Sequence, residues 1–331
     1  MIDDQNPRPD SERLPFHDGE RAVQARVGVE SRMRDIGRRV IRDFMPEQHR
    51  EFYMQLPFIV AGASDAQGRP WASLLVGRPG FIAAPDPRRL AITALPGAGD
   101  PLRACLVPGA ALGLLGIELH TRRRNRANGR VRAVRATGFD VDVEQTVGNC
   151  PQYIQGREAR WQRAAQDVTP RAVDVLDALD AAACAQIEAA DTLFVASRGP
   201  SASGADVSHR GGRQGFVRID DAQTLTVPDF SGNNLFMTLG NFTVDPRAGL
   251  SFVDFATGTL LCLTGRVELL WDAAEIAGFD GAERAWRFRL SEACRLHDTL
   301  PLRWTFRDWS PRTLATGGWP DRGGETGARK P

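Results

Sequence analysis

A motif that occurs twice constrains the fold of this 331-residue chain more than any other feature of its sequence. The motif G-R-x-G-F begins at Gly77 and again at Gly212, a spacing of 135 residues. Further matches keep a spacing of 135 or 136 residues: FIVA (58–61) with LFVA (193–196), RRLAIT (88–93) with QTLTVP (223–228), and GRV (129–131) with GRV (265–267). Chance reuse of glycine turns in a β protein is the alternative. Because order and spacing both hold, the pattern favours a duplicated unit.

The residues around these matches predict a mainly β protein. Short β-branched runs separated by Gly, Pro and Asp are typical of antiparallel sheets. Alternation of Trp286, Phe288 and Leu290 with arginines predicts a further strand. The fold class we expect is therefore α+β, mainly β with flanking helices. In it, two similar tandem β units, each a small barrel that closes its own edges, pack about a pseudo-two-fold axis.

Helical spacing of apolar residues occurs in three places. The segment 19–44 is predicted to be helical, and 45–56 is predicted to form a second, short helix. The segment 169–190 is predicted to return to helix, with Thr169 as the cap and Pro170 in the first turn.

These patterns divide the chain into five predicted parts. They are an N-terminal helical segment (1–50), a first β-barrel repeat (51–138), a helical linker (139–190), a second β-barrel repeat (191–312) and a flexible tail (313–331). The tail is rich in Gly, Arg and Pro, so disorder is predicted beyond Trp319.

Composition and charge narrow the class of protein. The 42 Lys and Arg residues nearly balance the 41 Asp and Glu residues, so no global field favours a nucleic-acid or membrane partner. The five cysteines are scattered without a C-x-x-C pair, which suits a reducing compartment. The polar N-terminus does not have the pattern of a secretory signal. A cytoplasmic location is expected.

Two stretches carry a resemblance to a known family. The segment DVSHRGGRQGFVRIDDAQTLTVPDFSGNNLFMTLGN (206–241), its continuation to residue 268, and GNCPQYIQGR (148–157) resemble the pyridoxamine 5′-phosphate oxidase-like, FMN-binding split-barrel proteins. The similarity is greater to predicted flavin-nucleotide-binding proteins than to the biosynthetic oxidase. It implies FMN at the interface of two split barrels, which are usually two subunits. With both barrels in one chain, the protein is expected to be a monomer with a pseudo-dimeric core or a homodimer.

The end of one strand in the second repeat is the first candidate for the FMN site. Arg210 suits a bidentate phosphate contact, Ser208 and His209 add side-chain donors, and Gly211 lets the backbone approach closely. The first repeat has Ser73-Leu74-Leu75-Val76 at the same place, without basic or imidazole groups. The second repeat is therefore expected to carry the competent site, unless His209 and Arg210 only end a solvated strand.

The loop after the next strand is the second candidate. Val227, Pro228 and Asp229 end that strand, and Gly232, Asn233 and Asn234 follow. In the related oxidases this loop brings Ser, Arg and Lys to the phosphate, whereas here amide and backbone donors replace the cations. A plain β-turn is the alternative, because Asp, Ser, Gly and Asn are the usual turn residues.

A third candidate set lies in the first repeat and the linker. In HTRRRNRANGR (120–130), Arg122, Arg124 and Arg126 alternate, so on a strand they share one face and present positive charge to an anion. The alternatives are a solvated basic hairpin or a weak RNA-contacting patch. Tyr153 and Arg157 are expected to line the flavin pocket.

The remaining reactive side chains predict little chemistry of their own. Cys150 has no neighbouring His or Asp that would activate it, so a structural thiol is the more common interpretation. The histidines outside the candidate site have no metal-ligand spacing, so no metal site is expected.

Two classes of function remain open from the sequence. One is an FMN-dependent oxidoreductase acting on an unidentified small molecule, in which the flavin carries the electrons. The alternative is a non-catalytic flavin or haem binding or stress protein on the same fold, and a cofactor-free scaffold is a weaker third possibility. FMN is the expected cofactor, ahead of FAD, the deazaflavin F420 and haem.

Overall fold

The computed structural model describes residues 15–200, 204–271, 274–277 and 279–319. The predicted disorder after Trp319 concerns residues that lie outside this range. The helices are α1 (Asp18–Arg26), α2 (Glu30–Val40), α3 (Glu47–Gln55), α4 (Leu102–Cys105), α5 (Ala181–Ala189), α6 (Met237–Val244) and α7 (Pro311–Leu314).

Strands make up most of the regular structure, so the expected mainly β class is confirmed. They are β1 (Phe58–Ser64), β2 (Pro70–Val76), β3 (Ile82–Asp86), β4 (Arg89–Ile92), β5 (Ala111–Glu118), β6 (Arg123–Arg135), β7 (Gly138–Asn149), β8 (Gly156–Trp161), β9 (Ala172–Leu176), β10 (Thr192–Arg198), β11 (Ala205–Gly211), β12 (Arg218–Asp221), β13 (Thr224–Phe230), β14 (Arg247–Val253), β15 (Leu260–Leu270), β16 (Ala282–His297) and β17 (Leu302–Asp308). The strand predicted from the alternation around Trp286 is β16.

The strands form two large antiparallel sheets with the same strand order. The first sheet runs β2-β1-β5-β6-β7-β4-β3, and the second runs β11-β10-β14-β15-β16-β13-β12, with β9 added beside β16. Strands β8 and β17 form a separate two-stranded sheet. Each strand of the first sheet thus has a counterpart in the second, in the same sequence order and at the same place.

Neither large sheet is a closed barrel. Within the described residues, no ladder joins β2 to β3 or β11 to β12. The expectation that each unit closes its own edges was therefore wrong. The physical reason is that the other sheet covers an edge strand: β2 packs against β14 and β15, and β11 packs against β5 and β6.

The sheets approach each other closely at two glycines. A Cβ atom on Gly113 of β5 would lie 2.6 Å from the Asp206 backbone carbon, and one on Gly249 of β14 would lie 2.5 Å from the Pro70 carbonyl oxygen. These distances leave no room for a methyl group, because the obstructing atoms belong to backbone. The crossing of the sheets therefore depends on glycine at both positions.

We expect Gly113→Ala to destabilise the fold by about 1–3 kcal/mol, since the methyl group overpacks a rigid contact between backbones. Chemical denaturation followed by tryptophan fluorescence measures the change. Gly318→Ala is the matched control, because a Cβ atom there meets nothing within 4 Å. Equal stability of the two variants would contradict the close approach.

The helical predictions hold in part. The segment 19–44 forms two helices, because Gly28 has a φ of 73° and interrupts the path between α1 and α2. The short helix expected in 45–56 is confirmed as α3.

The segment 139–190 is less helical than expected. It contains β7, β8 and β9 as well as α5. The predicted helix start at Thr169 was wrong, because 172–176 pairs with β16 as a strand. Helix α5 begins after Asp180, whose carboxylate accepts a hydrogen bond from the Ala183 N–H at 2.7 Å.

The hydrophobic core joins the two sheets. One continuous cluster contains Ile59 and Leu114 of the first sheet together with Phe194, Val207 and Cys262 of the second. A second cluster lies on the other side of the second sheet. The junction between the sheets is thus packed as a protein interior, and the candidate site lies at one end of it.

Candidate functional site

A cavity of about 120 Å³ lies where the two sheets meet. Four segments line it: the start of β6, the chain after β7, the end of β11, and the end of β13 with the loop that leads into α6. The candidate residues that line the cavity are Arg124, Tyr153, Ser208, His209, Arg210, Gly211, Asp229, Gly232, Asn233 and Asn234. Residues far apart in the sequence are thus brought together here.

Four candidate residues lie elsewhere. Val227 is fully buried in the second core cluster, and Pro228 pairs with Ala285 inside the second sheet. Arg157 is held by Asp191 at 2.5 Å and lies over the Phe255 ring at 4.1 Å. The structure therefore gives Val227, Pro228 and Arg157 packing contacts away from the cavity.

Arg122 also lies outside the cavity lining. Its φ of 61° breaks the strand alternation that was expected to align it with Arg124, and β6 begins only at the next residue. Its guanidinium donates to the Ile154 carbonyl at 2.9 Å and to the Asp308 carboxylate at 2.6 Å. Arg126, which does keep the alternation, lines the cavity with Arg124.

Arg124 is the cavity cation with the least compensation. Its Nε donates to the Cys150 carbonyl at 2.8 Å, and its Nη1 lies 3.3 Å from His209 Nδ1. Within the described residues, no carboxylate lies at ion-pair distance from it. Burial, followed by the charges of Arg210 and Arg126, lowers the pKa of Arg124 to about 9. The guanidinium is charged at neutral pH but is held in an unfavourable environment.

Arg126, in contrast, is compensated from behind the cavity wall. Its Nη1 lies 3.0 Å from the Asp206 carboxylate, and its Nη2 donates to the Ser208 hydroxyl at 2.5 Å. Asn128 also donates to Asp206, at 2.7 Å, which orients the carboxylate. Ser208 in turn lies 2.7 Å from the Thr238 hydroxyl. Arg126 is therefore fixed by a buried polar network.

Arg210 shares a single carboxylate with a second arginine. Its Nε lies 3.7 Å from Asp229, while Arg284 donates to the other oxygen of that carboxylate at 2.9 Å. Burial lowers the pKa of Arg210 and raises that of Asp229. Arg284 also contacts Glu283, which lies half-exposed beside it. Arg210 is thus only partly neutralised.

The charges around the cavity do not balance. Three lining guanidinium groups face one lining carboxylate, and Asp206 behind the wall neutralises only Arg126. Buried charges without partners are costly, so such a cluster is stabilised by an anion. Three nitrogen atoms here are also buried without a hydrogen-bond partner in the described structure: Arg126 Nε, His209 Nε2 and Arg210 Nε. The excess positive charge and the two unpartnered arginine nitrogens point to an anionic ligand.

An aromatic surface flanks the cationic groups. The Tyr153 ring stacks on Phe230 at 5.2 Å with an angle of 24° between the planes, and the Tyr153 hydroxyl donates to the Ser231 carbonyl at 3.0 Å. Tyr153, Asn234 and Phe236 all have a φ near +60°. Non-glycine residues in this left-handed region are strained, and such strain clusters at functional sites.

The loop and helix after β13 also contribute residues that sequence reasoning missed. Phe230, Phe236, Met237 and Thr238 line the cavity. They are apolar or neutral, and the sequence offers no local signal that marks them as ligand contacts. They reach the cavity beside the arginines of β6 because the chain turns from the loop into α6.

The corresponding position in the other half of the chain is filled with apolar side chains. Ser73 and Ser208 are each the fourth residue of a seven-residue strand, so Leu74 and Leu75 correspond to His209 and Arg210. Gly113 of β5 pairs with Asn128 of β6, and Gly249 of β14 pairs with Thr264 of β15. If these pairs are equivalent, Leu260 of β15 corresponds to Arg124 of β6.

By the same alignment, Cys262 occupies the position that is equivalent to Arg126. The four replacements, Leu74, Leu75, Leu260 and Cys262, are buried in the joint core. Cys262 faces Ser73 much as Arg126 faces Ser208. The cationic cavity is thus a property of only one of the two equivalent positions.

Glu20 of α1 is a buried carboxyl group close to this network. Its carboxylate accepts a hydrogen bond from the His17 backbone N–H at 2.8 Å. Burial, with a smaller contribution from the charge of Asp206, raises the pKa of Glu20 from 4.5 to about 8. The folded protein therefore binds a proton at Glu20 that the unfolded chain releases above a pH of about 4.5.

Stability should for this reason fall as pH rises from 5 to 8, and Glu20→Gln should remove that part of the fall. The expected difference in pH dependence between wild type and variant is on the order of 1–3 kcal/mol. Urea denaturation at several pH values measures it, with the exposed Glu47→Gln as the control. Parallel pH profiles for wild type and Glu20→Gln would contradict the buried, protonated state.

The structure gives little support to Cys150 as a nucleophile or to a metal site. Cys150 lines the cavity, but its carbonyl oxygen rather than its thiol contacts Arg124. In the part of the chain that the structure describes, no group of three or more His, Cys, Asp or Glu residues is arranged to hold a metal ion. No helix among the described residues has the length and apolar character needed to cross a membrane.

Comparison with known proteins gives matches among solved structures. No protein-family model and no curated protein matches the chain. A variant of HupZ from Group A Streptococcus is 16% identical, with a TM-score of 0.30, and the match covers 36% of this chain and 99% of HupZ.

Two further solved chains are similar over comparable lengths. A protein related to general stress protein 26 (pyridoxinephosphate oxidase family) from Clostridium acetobutylicum is 14% identical, with a TM-score of 0.27 and coverage of 38% of this chain and 92% of that chain. A pyridoxamine 5′-phosphate oxidase-related, FMN-binding protein from Nostoc punctiforme is 13% identical, with a TM-score of 0.23 and coverage of 37% and 87%.

Proposed function

We propose that the cavity binds FMN. The supporting observation is a buried cluster of incompletely neutralised arginines beside an aromatic surface. Arg124 and Arg210 would hold the phosphate, which carries a charge of about −1.5 to −2 at neutral pH. Gly232, Asn233 and Asn234 would add neutral donors, and Tyr153 and Phe230 offer a flat face of the kind on which an isoalloxazine ring stacks.

The cavity residues and the sequence resemblance together favour FMN over the other candidate cofactors. Riboflavin has the ring but lacks the anion that Arg124 and Arg210 require. FAD, F420 and haem also carry negative charge, so the preference for FMN over them rests on the sequence resemblance to FMN-binding proteins.

The proposed activity is that of a flavin-dependent oxidoreductase acting on a small molecule. FMN supplies the redox chemistry when bound, so the protein needs no nucleophile or metal of its own. The chain's part is to bind the phosphate at the arginines, orient the ring and exclude water from the cavity. A non-catalytic flavin-binding protein is the second candidate, because the cavity residues account for binding without assigning a catalytic acid or base.

The architecture behind this site is proposed to be a tandem duplication of a split-barrel unit. The matching strand orders and the repeated sequence motifs both support it. The interface that two subunits form in the resembled family would then lie inside one chain, with a pseudo-two-fold axis. Since Leu74, Leu75, Leu260 and Cys262 fill the equivalent position, one FMN per chain is expected.

Visible absorption of the purified protein, before and after reconstitution with FMN, tests the proposal. The expected result is a flavin spectrum that stays with the protein through gel filtration. A colourless protein that does not retain added FMN would overturn the assignment. Anaerobic reduction by NADH or NADPH, followed by reoxidation with candidate acceptors, then separates an oxidoreductase from a flavin-binding protein.

A further inference from the structure

His209 lies at the cavity but is oriented by an unusual partner. The residue is 4% exposed and belongs to β11 of the second sheet, whereas Arg124 belongs to β6 of the first. His209 Nδ1 lies 3.3 Å from Arg124 Nη1. A guanidinium group only donates hydrogen bonds, so Nδ1 must be the acceptor. The imidazole is therefore neutral, with its proton on Nε2.

Arg124 is held in place by this acceptor and one other. Its Nε donates to the Cys150 carbonyl at 2.8 Å, and its Nη1 donates to His209. Neither acceptor carries a negative charge, so the guanidinium is positioned without being neutralised. Its remaining N–H groups make no hydrogen bond within the described residues. They are available to an anion in the cavity.

The surroundings of His209 oppose its protonation. Arg124, Arg210 and Arg157 contribute positive charge around the ring, and Asp191 engages Arg157 at 2.5 Å. Burial, followed by the charges of Arg124 and Arg210, holds the pKa of His209 well below its usual range. A cationic His209 bound directly to a phosphate would add a further positive charge to this cluster.

We propose that His209 is a positioning residue for Arg124: a neutral acceptor that holds the guanidinium toward the ligand's phosphate without contacting the anion itself. This inference rests on the proposed function for the identity of the ligand. It assigns the two halves of the chain different tasks at one site. In the pair of Arg124 and His209, the first half supplies the cation and the second half supplies the group that orients it.

The other half of the chain is consistent with this pairing. The position equivalent to His209 is Leu74, and the position equivalent to Arg124 is Leu260. Where the cation is absent, the acceptor is absent as well.

Binding of FMN and of riboflavin to a small set of variants tests the inference. His209→Leu should weaken FMN binding about tenfold, the size expected for loss of one hydrogen bond to a charged group, and leave riboflavin binding unchanged. His209→Asn keeps a side-chain acceptor and should restore much of the FMN affinity. In the Arg124→Met background, His209→Leu should have no further effect.

The opposite results would overturn the inference. A His209→Leu variant that loses FMN and riboflavin equally would mean that the ring contacts the flavin. Additive losses in the Arg124→Met, His209→Leu double variant would mean that the residues act independently. Circular dichroism of each variant confirms that the fold is intact before the affinities are compared.

Nitrogen-15 NMR of the histidine rings provides a test without ligand. His209, assigned by the signal missing from His209→Leu, should show an unprotonated Nδ1 and a protonated Nε2 from pH 5.5 to 8. An imidazolium, or a proton on Nδ1, would overturn the inference. If wild type binds no FMN, the proposed function fails, and the NMR result still decides whether His209 is the acceptor for Arg124.

Discussion

Replacing Arg124 with Met should weaken FMN binding by about 10- to 100-fold, because a charge-assisted contact to phosphate contributes about 1.5–3 kcal/mol. The side chain has no carboxylate partner among the described residues, so its removal leaves no stranded negative charge in the protein. Burial and the neighbouring Arg210 and Arg126 oppose its charge in the free protein. Removing it should therefore leave stability unchanged or slightly raise it.

Fluorescence quenching of FMN measures this affinity, with Arg132→Met as the matched control. Arg132 lies on the same strand but is exposed and pairs with Asp142 at 3.3 Å. Arg210→Ala should also weaken FMN binding, whereas Leu75→Ala, at the equivalent position of the first half, should not. Equal tolerance of Arg210→Ala and Leu75→Ala would contradict the assignment of the site to one half.

Asp206→Ala is expected to have the largest effect on stability, about 3–5 kcal/mol, because it leaves the buried Arg126 guanidinium without its counter-charge. The carboxylate is 5% exposed and also accepts from Asn128 and Asn241. Thermal and urea unfolding measure the loss. The double variant Asp206→Ala, Arg126→Met removes both charges and should recover part of it.

The contrast between Arg126 and Arg124 makes this prediction specific. Arg126→Met alone should also be destabilising, because it leaves Asp206 buried and unpaired, whereas Arg124→Met should not. If both arginine variants lose the same stability, the division into a structural and a ligand-binding arginine is wrong. Far-UV circular dichroism verifies that each protein starts from the same fold.

Much of the fold follows from local patterns in the sequence. Alternation around Trp286 and the repeated G-R-x-G-F turn correspond to strands and turns of the two matching sheets. Of the helix expected at 169–190, only α5 forms, because residues 172–176 pair with β16 as strand β9. Asp174 of β9 and Arg295 of β16, which form an ion pair, lie 121 residues apart in the sequence. Tertiary pairing of this kind overrides local propensity.

The site was predicted less completely than the fold. His209 and Arg210 could be named as candidates because they stand where the matching strand has Leu74 and Leu75. Arg122 was expected to share a strand face with Arg124, but it precedes the first residue of β6 and has a left-handed backbone. The strand alternation therefore does not extend to it. The link between His209 and Arg124 spans 85 residues and two sheets, so sequence alone does not predict it.

Calorimetric titration of the wild-type protein with FMN and riboflavin, side by side, tests the central claim most directly. The claim is that one cationic cavity per chain recognises the phosphate of a flavin mononucleotide. The predicted result is one FMN per chain and riboflavin binding weaker by at least about tenfold, the minimum expected for losing a charge-assisted contact. Equal affinity for the two ligands, two FMN molecules per chain, or no heat of binding with FMN would contradict it.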